Sequence, residues 1–225
     1  MSFALILLLI VAAVGTVGVG VGVVVLKAAS GNKQLGAAPA PKQIGAGGLA
    51  DDDVLDATVK DLKRGALIEV TGFGDSFEDV QLEVEAFTRY SRARDEWFEL
   101  ASTYAGRPVA LVWDEERGPL RLWAYKARRQ GDLADFGLTP DTVEGLAQGQ
   151  TVDVGGEAYT VDDVGKTLSH KDGTGFGKEH RTWELLSPDK KTQLWIEQWG
   201  DEAHQVSKGE LIDPDAVTIY RSKGK

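Results

Sequence analysis

Leu62-Lys63-Arg64-Gly65-Ala66-Leu67-Ile68-Glu69-Val70 and, 84 residues further on, Leu146-Ala147-Gln148-Gly149-Gln150-Thr151-Val152-Asp153-Val154 share one spacing: leucine, glycine three residues later, valine five after that. Two further pairs follow. Trp97-Phe98-Glu99-Leu100 is answered by Trp183-Glu184-Leu185-Leu186 at an offset of 86, and Ala110-Leu111-Val112-Trp113 by Gln193-Leu194-Trp195-Ile196, with a register open by two residues. Self-similarity at a long, nearly fixed offset reads as internal duplication. The expected fold is therefore mainly β: two similar antiparallel β units, barrel- or sandwich-like, over residues 51–138 and 139–225, side by side or fused into one core, with short helices.

Within each unit the polarity pattern is mostly period two, as a half-buried strand requires. Ala66 to Thr71 reads as a strand, Gly72 to Asp75 as a turn, and Val80, Leu82 and Val84 as a strand continuing through Phe87 and Tyr90. Glu96 to Ser102, Val109 to Asp114 and Leu120 to Lys126 complete a meander, with a hairpin turn at residues 115–119. Two short helices are expected. One carries Leu55, Val59 and Leu62 on one face and stops at Gly65; the other starts at Thr139 as N-cap with Pro140 in the first position and runs to about Ala147.

Ahead of the β units, Phe3 to Leu26 has no charge and no proline. As an α-helix it spans roughly 36 Å, enough for a hydrocarbon core of about 30 Å. A cleaved signal peptide fits less well, because Met1 and Ser2 carry no basic side chain and Lys27 stands where a cleavage motif wants small residues. Residues 1–26 are thus expected to be a single transmembrane helix of a bacterial inner or plasma membrane, with the lipid bilayer as first partner. Lys27, Lys33 and Lys42 all follow it, which by the positive-inside rule places the N-terminus outside and the remainder in the cytoplasm. Gly15, Gly18 and Gly22 fall on one stripe of that helix and offer a face for homo-oligomerisation through close helix approach. Residues 27–50, rich in Gly, Ala, Pro and Gln, read as a flexible tether.

The whole chain carries 25 basic and 35 acidic residues, a formal charge of −10. Three of the basic residues precede Asp51 and none of the acidic ones does, so residues 51–225 are more acidic still. Such a surface repels nucleic acid, which is not an expected partner. The absence of cysteine fits a reducing compartment.

No catalytic, cofactor-binding or metal-ligating residue is assigned from the sequence. Gly173, Gly175 and Gly177 before Lys178 lack the Ser/Thr and the helix of a phosphate loop and read as a hairpin tip. His170, His180 and His204 show no ligand spacing. Arg89, Arg92 and Arg94, with Lys126, Arg128 and Arg129, form two basic spots that read as solvated strand ends, with contact to anionic headgroups on the tethered side as the alternative. In the Leu194–Trp199 strand, Trp195, Glu197 and Trp199 share one face. Core packing accounts for the tryptophans; the alternative is that this acidic aromatic face binds a cation or a partner.

The glycine before the first strand, the Trp-x-Glu and Trp-Glu strands and the Leu194-Trp195-Ile196-Glu197 strand, all repeated, resemble the bacterial domain-of-unknown-function family four-one-seven-eight from about Leu62 to Tyr220. The resemblance implies no established activity. It implies a membrane-stress context, since members are often encoded beside phage-shock-type membrane proteins, polyamine-synthesis enzymes and small membrane proteins. The expected function is a non-enzymatic, membrane-tethered cytosolic interaction or adaptor module for a membrane-stress or small membrane protein. A sensor for a polyamine or other cation is the alternative.

Overall fold

Period-two alternation yields twelve strands in chain order: β1 (Leu67–Val70), β2 (Val80–Glu83), β3 (Ala86–Arg92), β4 (Asp95–Tyr104), β5 (Arg107–Asp114), β6 (Arg121–Tyr125), β7 (Thr151–Val154), β8 (Glu157–Lys171), β9 (Lys178–Leu186), β10 (Thr192–Gln198), β11 (Gln205–Ile212) and β12 (Val217–Arg221). The computed structural model describes residues 55–114 and 118–221. The Phe3–Leu26 segment, with Gly15, Gly18 and Gly22, lies outside them. Among the described residues no helix is long and apolar enough to cross a membrane.

Eight strands close into an antiparallel barrel in the order β3-β4-β5-β6-β11-β10-β9-β8, sealed by β3 pairing with β8. Each half of the chain contributes a four-stranded meander. The seams join first strand to first, β3 to β8, and last to last, β6 to β11. Strand β7 extends the sheet beyond β8, and β12-β1-β2 form a separate three-stranded sheet. Because β12 pairs with β1, the end of the chain returns to the first half.

Alternation along the strands sorts side chains into three cores. Inside the barrel, Tyr90, Trp97, Ala110, Val112, Trp123, Tyr125, Leu186 and Trp195 from six strands pack together. Outside, Leu100, Leu111, Trp113 and Leu122 pack beneath the small sheet through Ile68, Val70, Leu82 and Ile219. On the other flank, Trp183, Leu185, Leu194 and Ile196 are covered by Leu133, Val143 and Val154. The small sheet and the short helix α1 (Pro140–Glu144) thus dry the outer faces of a barrel whose lumen is already filled.

The repeated glycines hold the same place. Gly65 and Gly149 both adopt left-handed backbone, φ +82 and +81. The Gly65 N–H donates to Val84 O at 2.7 Å, and the Gly149 N–H to Val161 O at 2.8 Å. In return Val84 N–H donates to Ala66 O, and Val161 N–H to Gln150 O.

The Trp97/Trp183 match, by contrast, is one residue out of step. Trp97 belongs to the interior cluster and Trp183 to the outer one. Pairing sets the register: Glu99 lies opposite Val112 on β5, and Glu184 opposite Trp195 on β10. Phe98 therefore corresponds to Trp183, and Glu99 to Glu184. A one-residue slip exchanges the faces of a strand, which is why the tryptophan match misleads.

Three local expectations are corrected. The stretch around Leu55 is no helix: Leu55 N–H donates to Ile219 O at 2.7 Å, and only Val59–Asp61 form a 3-10 turn, capped by Thr58 and Asp61. The helix after Thr139, whose Oγ1 accepts Thr142 N–H at 3.2 Å, stops at Glu144 instead of about Ala147. The strand expected from Val80 through Tyr90 breaks into β2 and β3, because Val84 N–H turns to Ala66 O while Glu85 N–H turns to Ala101 O.

Candidate functional site

The barrel has two ends of different character. At one lie the β4–β5, β8–β9 and β10–β11 turns and residues 126–131; at the other lie the β3–β4, β5–β6 and β9–β10 turns.

The first end is plugged. Strand β6 stops at Tyr125 opposite Gly209, and pairing with β11 resumes only where Gly131 meets Val206. The intervening chain bulges and sends Arg128 and Arg129 inward. Arg128 Nε donates to Glu99 Oε2 at 2.7 Å, and its Nη1 donates to Ser207 Oγ at 2.7 Å and lies 3.3 Å from Glu197 Oε2. Arg129 Nε donates to Glu197 Oε2 at 2.5 Å, and its Nη2 to Tyr90 Oη at 2.6 Å. Glu99 and Glu197 side chains are 2% and 0% exposed, so two arginines neutralise two carboxylates out of water. Arg128 also stacks over Trp195, its Cζ 4.8 Å from the ring centroid. Its backbone is equally committed: Arg129 holds φ +57 and its N–H donates to Ser207 Oγ.

Burial alone pushes the Glu197 carboxyl up, but Arg128, then His180 and Arg129, outweigh it and hold the group far below the ordinary carboxylate range. Glu99 is likewise raised by burial and lowered more by Arg128 and Arg129. Tyr90 is pushed well above its usual value, chiefly by burial and then by Glu99. His180, whose Nε2 lies 3.6 Å from Glu197 Oε1, stacks on Trp199 at 3.9 Å.

The second end is open. Asp95, Glu96, Asp114, Asp163 and Glu184 ring a mouth floored by Trp97, Trp123 and Trp195. Its cavity is about 30 Å³, room for a water or two or for one ammonium-sized group. Arginines already occupy its rim. Arg121 pairs with Asp114 at 2.9 Å, and Arg92 with Asp163 at 2.8 Å and Glu184 at 3.2 Å, while Arg92 lies over Trp97.

The residues singled out from sequence thus separate. Trp195 and Glu197 do share a face, but that face is the barrel interior: Trp195 is 1% exposed and the Glu197 charge is taken by two arginines. Trp199 stands past the end of β10, half-buried against His180. Of the six residues read as solvated basic spots, Arg128 is fully enclosed and Arg92 and Arg129 are engaged in ion pairs. Sequence reasoning missed Glu99 and Arg128 as partners. The one available signal was that Glu99 shares a strand face with Trp97. The histidines are held apart, His170 against Ser91, His180 against Glu197 and His204 against Glu144. Among the described residues no three His, Asp or Glu side chains gather as metal ligands do.

No curated protein matches the chain, and no solved structure does. The family model described as Domain of unknown function (DUF4178) matches residues 76–214, a range that begins just before β2, ends just before β12 and contains every strand of the barrel. With that match over well more than half its length, the chain belongs to the DUF4178 family.

Proposed function

We propose that the chain is a non-enzymatic adaptor, tethered to a bacterial inner or plasma membrane through Phe3–Leu26, with its barrel on the cytoplasmic side and serving a membrane-stress system through a protein partner. The observation that carries this reading is how the interior is used. The lumen is filled by aromatic side chains, and its buried charges, Arg128 and Arg129 against Glu99 and Glu197, are spent on one another. Such a core supports a rigid scaffold for presenting surfaces. The uncharged Phe3–Leu26 stretch and the lysines after it support the tether and its orientation. The matched hydrogen bonds of Gly65 and Gly149 support descent of the two halves from one duplicated unit.

Detergent solubilisation and affinity capture of the full chain tests the proposal. A stoichiometric membrane-stress or small membrane protein is expected. Capture of nothing above background, together with turnover of a metabolite by the purified chain, overturns it. Protease added to intact spheroplasts tests the orientation: the barrel should survive until lysis.

A second reading has its own observation, the acidic, tryptophan-floored mouth at the open end. Aromatic faces ringed by carboxylates suit an ammonium group, and one such head fits the mouth by competing with Arg92 and Arg121 for Asp163, Glu184 and Asp114. On this reading the protein senses a polyamine or similar cation there, and not at the buried Trp195/Glu197 face. Calorimetry with spermidine on the full chain decides: saturable binding lost in Asp163→Asn supports it, and salt-screened, unsaturable attraction removes it.

A further inference from the structure

Away from both barrel ends, one pair of side chains is arranged for proton transfer. On the seam where β3 meets β8, Ser91 Oγ lies 3.2 Å from His170 Nε2, and His170 Nδ1 lies 3.1 Å from Gly175 O. A carbonyl can only accept, so Nδ1 carries the ring hydrogen and donates it. Nε2 of the neutral ring is then an acceptor, and the Ser91 hydroxyl donates to it. A hydroxyl within reach of a base whose ring is oriented by a third group is the pattern of an activated nucleophile.

The fold holds this pair in place. Tyr90 belongs to the lumen, so Ser91, the next residue of β3, lies on the outer face, opposite Leu168 of β8, and Arg89 lies opposite His170. The β8–β9 turn folds back onto the seam: Asp172 N–H donates to Phe87 O at 2.7 Å, and Gly173 N–H to His170 O at 3.0 Å. A Cβ on Gly177 would stand 2.9 Å from His170 Cε1, so a glycine there lets the turn close on the imidazole, and His170 is left 8% exposed.

Two further features border the pair. Arg89 Nη1 is taken by Glu96, which lies opposite Ser91 on β4, while Arg89 Nε is buried and has no acceptor. Leu168 is 39% exposed, and Phe176, between the two glycines that meet His170, is fully exposed, so apolar surface adjoins the hydroxyl.

We infer that Ser91 is a covalent acceptor for an acyl group carried as a thioester, with His170 as the base. Ser91 Oγ forms a bond to the acyl carbon and the C–S bond breaks. The Ser91 proton passes to His170 Nε2 and from there to the departing thiolate, and nothing is oxidised or reduced. The unused Arg89 Nε–H supplies a donor for the oxygen that becomes negative on the way. What stands behind His170 selects the class of donor. A neutral carbonyl orients the ring but stabilises its positive form less than a carboxylate does, so the leaving group must depart readily. A thiol, with a pKa of about 8.5, does so where an alcohol does not. The ester formed on Ser91 is the poorer acyl donor, so the group stays after one transfer, beside Leu168 and Phe176. The chain is modified without turnover, which goes beyond the adaptor reading and does not depend on it.

The test uses the full-length chain in detergent and the octanoyl thioester of N-acetylcysteamine. Because the chain contains no cysteine, every thiol that appears comes from the probe. Thiol release should stop at about one equivalent, and peptide mass mapping should place the octanoyl group on Ser91. Ser91→Ala should abolish it. His170→Asn, whose amide can still donate to Gly175 O, should slow acylation about a hundredfold or more. Tryptophan emission checks that both variants are folded, and the site mapped on the parent chain decides even where one is not. Octanoyl groups on lysines or on Ser169 instead of Ser91, or an unchanged rate in folded His170→Asn, overturn the inference and leave the adaptor reading standing. Thiol release that runs on well past one equivalent overturns it as hydrolysis, and removes the non-enzymatic reading with it.

Discussion

The plugged and open ends of one barrel are both built from arginines and carboxylates, yet they do different work. At the plugged end Arg128, Glu99 and Glu197 are at most 2% exposed, and of the four charges only Arg129, 28% exposed, reaches solvent. At the open end Arg121 is 27% and Asp114 19% exposed, and their pairing competes with solvent. The same chemistry is structural where it is dry and adjustable where it is wet. Burial, more than the residue types, decides which charges a fold depends on.

The largest test of that contrast removes one member of the buried set. Glu197→Gln leaves guanidinium charge uncompensated in the lumen and should lower unfolding free energy by about 3–5 kcal/mol, read by urea denaturation. Replacing Arg128 and Glu99 together, by Met and Leu, should restore most of what Arg128→Met alone loses. A double variant as weak as the single would mean that the charges do more than balance each other.

Acid should find the same end first. Glu197 and Glu99 titrate lower in the folded state than in the unfolded one, so the stabilisation they carry is complete above the unfolded carboxylate value of about 4.3 and is lost as pH falls toward the folded value. Denaturant midpoints should hold from neutral pH to about 5 and fall steadily below it. In Glu197→Gln that slope should be shallower.

Glycines sharpen the comparison at a smaller scale. Beside the plugged end, a Cβ on Gly209 would stand 2.7 Å from the Tyr125 ring, which is buried and bonded to Gln193 and has nowhere to go. Gly209→Ala should cost about 1–3 kcal/mol. Toward the open end, the nearest atom to a Cβ on Gly165 is Arg92 Cδ at 3.3 Å, part of a flexible chain. Gly165→Ala should fall within about 1 kcal/mol of the parent. The smallest effect is expected at the rim, where Arg121→Ala should cost about 1 kcal/mol or less and shrink further in high salt.

The strands were legible because alternation reports directly on which faces are dry: β1, β4, β5 and β6 lie within two residues of where polarity places them. The equivalence of Gly65 and Gly149 was legible because a positive φ leaves a residue type as its trace. Trp97 and Trp183 were misaligned because large apolar residues serve both faces of a barrel that is covered outside and filled inside. Arg128 and Arg129 look like a solvated strand end, since nothing local says that the chain bulges inward after Tyr125. That turn is set by β11, some eighty residues away, where Gly209 gives way to Tyr125 and Ser207 receives both arginines. The enclosure of Glu197 between Arg128, Arg129 and His180 is equally non-local.

The pairing of first strand to first and last to last has a kinetic consequence. When β6 has been synthesised, the first meander has all its own hairpins but two bare edges, β3 and β6, and neither finds its partner until β8 and β11 emerge. At about 5–20 residues per second the wait is on the order of ten seconds. Closure must then join strands separated by about half of the described residues, a slow event for any chain. For that interval a nascent sheet with two unprotected edges sits beside the ribosome, with a second nascent copy on the same message as its nearest competing partner.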